Sequence, residues 1–387
     1  MPDCYHTTRR LPFLTDFSAR DRELVEKAAK QQEERQRRAD GLRRKKADGI
    51  REDLRRQLRD LLGANKLAEL RQAIRRERLA FRDLWQPPAG LSRDYAKEKK
   101  AGNRKIDALV RKLGANPEKL RKLCTEFDKR LLTVLSAPDG KVAHGYHLPG
   151  NLDKWMKLTP LHQYPLPWGV DPKPKDPRDP HRWFLFRTPF FWPLFSFWYS
   201  GSDNFRCDRE LFLDPTAGLV GNKVWLDCDD GDLDDLAQAR AEAQIAVVFE
   251  PPIAGIMEIC VDVQSLQGRY DLEIRDDFGF SRAMAVQNNF IMMSLLSPYA
   301  SETQLALMDH SETYVNGDDS STHNNHLNTV QHYFAHFFSS EPVRAGESIY
   351  VTVGTRSMEI ASAHNMDLHS QSDYRWFISS VEVHIVP

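Results

Sequence analysis

The sequence predicts a multi-domain α+β protein, with a helical, partly coiled-coil amino-terminal region followed by a carboxy-terminal antiparallel β-sandwich or jelly roll. Apolar residues recur at helical spacing as far as about Leu135, and beyond Ser200 they alternate with period 2. Between the two regimes lies a run, His181 to Tyr199, with ten aromatics in nineteen residues. The expected divisions are an irregular lead-in over 1–17, a basic helical region over 18–136, a Pro-rich connector over 137–180 and an acidic sandwich over 181–387.

Length and charge fit this division. A chain of 387 residues is long enough for two or three cores. Its net charge of −1 hides an asymmetry: residues 1–150 carry 37 Lys and Arg against 22 Asp and Glu, whereas the remainder carries 17 against 33. One half is therefore expected to attract the other, within a molecule or between copies, or each to attract its own partner.

The first helix is expected over 18–62, with Ser18 as N-cap and Gly63 as stop. Its stripe passes through Ile50, Leu54, Leu58 and Leu62, but it vanishes in the polar stretch 30–38. A second helix over 65–85 carries Leu67, Leu70 and Ile74, and Pro87 and Pro88 end it. A third over 92–113 is seamed by Ile106 and Val110. Gly114 as stop, Asn116 as N-cap and Pro117 at the first helical position announce a fourth, to Leu135. The phrase Leu-Gly-Ala-Asn occurs at both 62–65 and 113–116, each time at a helix boundary.

Four prolines in residues 171–180 predict an extended connector. Strands are expected at 244–249, 256–263, 270–274, 303–308, 330–338, 348–353 and 376–386, separated by Gly, Pro, Asn and Asp turns. The segment 232–244, DLDDLAQARAEAQ, reads as a short helix inserted among them. The aromatic run reads as the start of the sandwich and its seam with the helices, with Trp183, Phe186, Trp192 and Trp198 buried. Its alternatives are an exposed contact patch or a platform for sugar rings.

Two candidate sites emerge. Asp227, Asp229, Asp230 and Asp232 surround a glycine, and alternate carboxylates of this kind can wrap Ca²⁺ with oxygen ligands. The EF-hand register fails, since the glycine falls fifth and position twelve is Gln238, so a solvated acidic turn is the competing reading. His323, His326, His332 and His336 have spacings that suit a transition metal if a turn gathers the rings. If 330–338 is a strand, His332 and His336 share a face about 13 Å apart, too far for one ion.

The five cysteines form no CxxC pair, and no HExxH, GxSxG, phosphate loop or GxGxxG is present. Residues 1–17 contain no secretory-type apolar stretch, so a cytoplasmic setting is expected, with leaderless export as the alternative. The longest uncharged apolar run is shorter than the ~20 residues a membrane helix needs. Arginines crowd 35–59, but interleaved acids and the lack of aromatics between Phe17 and Phe81 argue against nucleic acid.

The expected function is that of a non-enzymatic structural or binding protein. Its basic helices dock or oligomerise a sandwich that presents loops to a partner. The partner is a protein or a second copy, and no cofactor is required. The first alternative is a lectin-like carbohydrate-binding module, with or without Ca²⁺. The second is a metal-dependent enzyme built on the histidines.

Overall fold

The computed structural model of the chain describes residues 19–85, 95–135, 141–142, 183–188, 190–229, 235–276, 282–299, 301–316, 321–327, 331–364 and 366–387. Four helices come first: α1 (Ala19–Leu62), α2 (Ala64–Trp85), α3 (Tyr95–Lys112) and α4 (Pro117–Leu135). The two Leu-Gly-Ala-Asn phrases do related work. Gly63 and Gly114 both take positive φ, 82° and 87°, where a side chain would be strained. The second phrase also caps: the Asn116 side-chain oxygen accepts the Glu118 amide at 2.8 Å. At the first, α2 begins at Ala64, so Asn65 lies inside the helix.

Thirteen strands follow in the described residues and form two sheets. The first, sheet A, has the order β1 (Lys141–Val142), β9 (Ser301–Asn316), β8 (Arg282–Leu296), β12 (Ile349–His364), β6 (Asp235–Phe249), β3 (Phe191–Gly201). Its pairings are antiparallel except β1 with β9. The second, sheet B, runs β10 (Ser321–His326), β7 (Ile256–Asp276), β13 (Met366–Val386), β5 (Leu219–Cys228), β4 (Phe205–Asp214). On it β11 (His332–Phe338) also pairs with β7, and β2 (Trp183–Arg187) with β13.

The inward faces of the two sheets build a sandwich core in two clusters. One gathers Ile259, Val261, Val351, Val353 and Trp376, and the other Val224, Leu226, Ala239, Ala241 and Leu272. The helices add a third layer on the far side of sheet A. Leu54, Leu58, Leu70, Val110, Phe127 and Leu131 share a buried cluster with Met284, Val286, Met358 and Ile360. Each fully buried leucine contributes about 1.5–3 kcal/mol. The α1 stripe is thus spent on the chain's own core.

The described part of segment 232–244, from Asp235 onward, is not a helix but strand β6, central enough to pair with both β12 and β3. Ala, Gln, Arg and Glu favour helix individually, but here they alternate. Ala237, Ala239, Ala241 and Ala243 point into the sandwich, where small side chains let the sheets close. Gln238, Arg240, Glu242 and Gln244 occupy the opposite phase and are likewise buried. Tertiary context and a strict period of 2 override propensity.

The even phase of β6 meets the helical layer through charge. Arg240 lies 3.0 Å from Asp40 of α1 and 3.4 Å from Glu242, which accepts from Arg356 at 2.8 Å and from Ser196 at 2.8 Å. A second buried group joins Asp128 of α4 to Arg282 at 2.9 Å and to His364 at 3.0 Å. Burial lowers the Arg282 pKa to about 9. At both contacts the helix supplies the acid and the sheet the base, opposite to the net charges of the two halves.

The aromatic run divides between the sheets, β2 going to sheet B and β3 to sheet A. Phe197, opposite Ala241, points into the sandwich, whereas Trp198, opposite Arg240, points to the helices with that guanidinium 5.9 Å over its ring. Both are buried, and Phe186 is partly so. The side chains of Trp183 and Trp192 lie outside the described residues. No described helix is long and apolar enough to cross a membrane.

Candidate functional site

Among the described residues the helices pack on sheet A, which leaves the outer face of sheet B without a helical layer. Along β4, β5, β13 and β7 the register sets the outward residues in rows. Arg206, Asp227, His369 and Glu273 stand opposite one another, then Asp208, Trp225, Gln371 and Asp271, then Glu210, Lys223, Asp373 and Arg269. A further row brings Phe212, Gly221 and Arg375 together. The alternation explains the placement: Val220, Val224 and Leu226 of β5 point inward, so Lys223, Trp225 and Asp227 must point out.

The face is a lattice of mutually fixed polar groups around one tryptophan. Arg375 grips Asp373 through two bonds of 3.0 Å each and lies 3.8 Å over the Phe212 ring. Lys223 Nζ sits 4.9 Å over Trp225. Arg269 pairs with Asp271. His369 donates from Nδ1 to Asp227, a bond that raises the imidazole pKa against the lowering effect of burial. Flat carboxylates, an amide and guanidiniums beside an indole can meet a ligand that has both an apolar ring face and many hydroxyls.

The predicted acidic loop borders the first row. Asp227 is engaged by His369, and Asp229 lies 3.9 Å from Arg206. Asp230 and Asp232 lie outside the described residues.

Of the predicted histidines, His323 and His326 stand in β10 opposite Leu272 and Arg269, while His332 and His336 stand in β11 opposite Gln264 and Cys260. The register places His326 and His336 nine residues apart along β7, about 30 Å, so it does not gather the four. Each β11 histidine finds a carboxylate instead: His332 Nδ1 is 3.2 Å from Asp262, and His336 Nδ1 is 3.7 Å from Glu258. Cys260 and His384 complete that end of the face, 3.6 Å from His336 Nε2 and 3.2 Å from Glu258 respectively. Among the described residues no group of three His, Cys, Asp or Glu is arranged to hold a metal ion.

Trp225, Gln371, Asp373 and Arg375 escaped the sequence reading. The available signal was one tryptophan in the polar phase of NKVWLDC, where Val224, Leu226 and Cys228 define the buried phase.

No family model and no curated protein matches the chain. Among solved structures, the chain is similar to TmCBM61 in complex with beta-1,4-galactotriose at 12% identity and a TM-score of 0.11, over 47% of this chain and 88% of that one. It is also similar to the family 11 carbohydrate-binding module from Clostridium thermocellum, in complex with a beta-1,3-1,4-mixed-linked tetrasaccharide, at 9% identity and a TM-score of 0.14, over 47% and 89%. At such scores neither likeness bears on the ligand of this chain.

Proposed function

We propose that the chain is a non-enzymatic binding protein in which the helical layer docks the sandwich and the open face of sheet B binds carbohydrate. The observation that supports this is the row Asp208, Trp225, Gln371 and Asp271, an indole between planar hydrogen-bonding groups on a sheet face that no described helix covers. A sugar ring offers C–H groups to the indole, in place of the Lys223 ammonium that lies over it, and hydroxyls that donate to the carboxylates and accept from the amide and Arg269. The docking half of the reading rests on the shared cluster of helix leucines and sheet A side chains. Asp227 is held by His369 and Asp229 lies near Arg206, so binding is expected to proceed without Ca²⁺.

A glycan array followed by calorimetry, in Ca²⁺ and in EDTA, tests the reading. Saccharide binding that Trp225→Ala weakens roughly 30-fold supports it. Silence across the array, or binding unaffected by that substitution, overturns it.

A further inference from the structure

Between the two hydrophobic clusters of the sandwich runs a polar belt. On the inner face of sheet A, Glu359, Gln287 and Ser311 stand opposite one another on β12, β8 and β9, and so do Ser357, Asn289 and Asp309. All six are buried, and Gln287 and Asn289 are wholly inaccessible. Sheet B reaches across to the two carboxylates: the Ser370 hydroxyl donates to Glu359 at 2.9 Å, and the Tyr374 hydroxyl donates to Asp309. Asn289 spends its amide hydrogens on Ser357 and Thr355, each at 3.0 Å.

Several groups are left over. Neither Oε1 nor Nε2 of Gln287 has a protein partner, nor do Asn289 Oδ1 and Ser311 Oγ. An orphaned buried polar group costs about 1–3 kcal/mol, so a native interior does not leave four together without a partner. The chemistry of the orphans selects that partner. Unpaired acceptors alone would suit a cation, but a cation cannot accept from the orphaned Gln287 amide hydrogens. An anion is opposed by Glu359 and Asp309, and an apolar occupant satisfies none of them. A water molecule both donates and accepts, and buried waters typically make about three such bonds.

We propose that the sandwich encloses a cluster of ordered water bridging Gln287, Asn289, Ser311 and Glu359. The cluster lies beneath the open face of sheet B, because β13 alternates Ser370 and Tyr374 inward with Gln371 and Asp373 outward. Burial raises the Glu359 pKa to about 7, and His369 on the outer face opposes that rise, so interior and face share an electrostatic field.

A crystal structure of the whole protein at a resolution that reveals water is the primary test. Density for water within hydrogen-bonding distance of the Gln287 amide and of Asn289 Oδ1 is expected. Oxygen-17 relaxation dispersion should show Gln287→Leu losing at least one long-lived water per chain relative to wild type. If the variant does not fold, the wild-type density decides. A Gln287 amide bonded directly to Glu359 or Ser311, an empty cavity, or a metal ion at the site would overturn the proposal.

Discussion

Asp40 of α1 and Arg240 of β6 lie 200 residues apart in sequence and 3.0 Å apart in space, both almost wholly buried. They fasten the helical layer to the sandwich. Asp40→Ala leaves Arg240 and the buried Arg43 of α1, 3.8 Å from Asp40, short of a counter-charge, and removing one partner of such a buried pair costs about 3–5 kcal/mol. Urea denaturation measures it, and the double variant Asp40→Ala, Arg240→Ala should lose less than the sum of the two single losses. A loss below about 1 kcal/mol for Asp40→Ala would mean that the pair behaves as a solvent-screened one.

The helix boundaries predict smaller, coupled effects. Gly63→Ala meets no atom within 4 Å, so its cost is the left-handed backbone alone, about 1–2 kcal/mol. Asn116→Ala removes a cap worth about 1 kcal/mol. Lys66 beside the first junction donates to the Leu113 carbonyl at the second at 2.9 Å, so thermal denaturation of the double variant should depart from the sum of the single losses.

Glu359 and His369 make stability fall as pH rises, and Glu382, raised by burial, adds the same sign. The pKa of Glu359 is about 7 in the folded protein, above its ordinary carboxylate value, so the folded chain binds the extra proton between those limits. Its contribution is fully present in acid and declines as pH climbs to about 7. His369, raised by Asp227, adds the same sign: its contribution is complete below the ordinary imidazole pKa and is lost as pH passes the higher folded value. Glu359→Gln should flatten the first decline and be more stable than wild type at pH 8, by on the order of 3 kcal/mol. His369→Gln should flatten the second. Denaturation midpoints between pH 4.5 and 8.5 read both, and an unchanged profile in either variant would refute that assignment.

On the open face, Trp225→Ala should weaken saccharide binding by about 2 kcal/mol, roughly 30-fold, as loss of an aromatic anchor does. Its ring lies on the outer surface of β5, so the melting temperature should stay within a few degrees of wild type. A large fall in melting temperature would assign Trp225 to the fold instead of the ligand.

The helices were legible because their stripes are one-sided and their ends carry Gly, Asn and Pro. Strand β8 was not, because all fifteen of its residues are buried and no alternation survives when both faces are covered. Strand β6 misled through composition, its Ala-Gln-Ala-Arg-Ala-Glu-Ala-Gln carrying helix formers in strand order. Strand β7 was legible as two pieces, 256–263 and 270–274, because its buried phase changes parity between them: Val263 and Tyr270 both point inward. The charge asymmetry gave no guide to the buried contacts, where the helices supply the acid and the sheet the base, since these depend on single residues such as Asp40 and Asp128. Trp225 was invisible because one outward tryptophan has no meaning until the face it shares is known to be uncovered.

Strands β7 and β13, with 21 residues each, run side by side through the whole of sheet B, and shifts of register fall between Arg375 and Trp376 and between Ile378 and Ser380. One end of this pair carries Asp271 and Gln371; the other carries Cys260, Glu258 and His384. Strand ends open locally, so hydrogen exchange should show protection rising from each end toward the middle of the pair. Each inserted residue also acts as a phase corrector, and deleting Leu266 or Ser379 would turn every side chain on one flank of the deletion inside out.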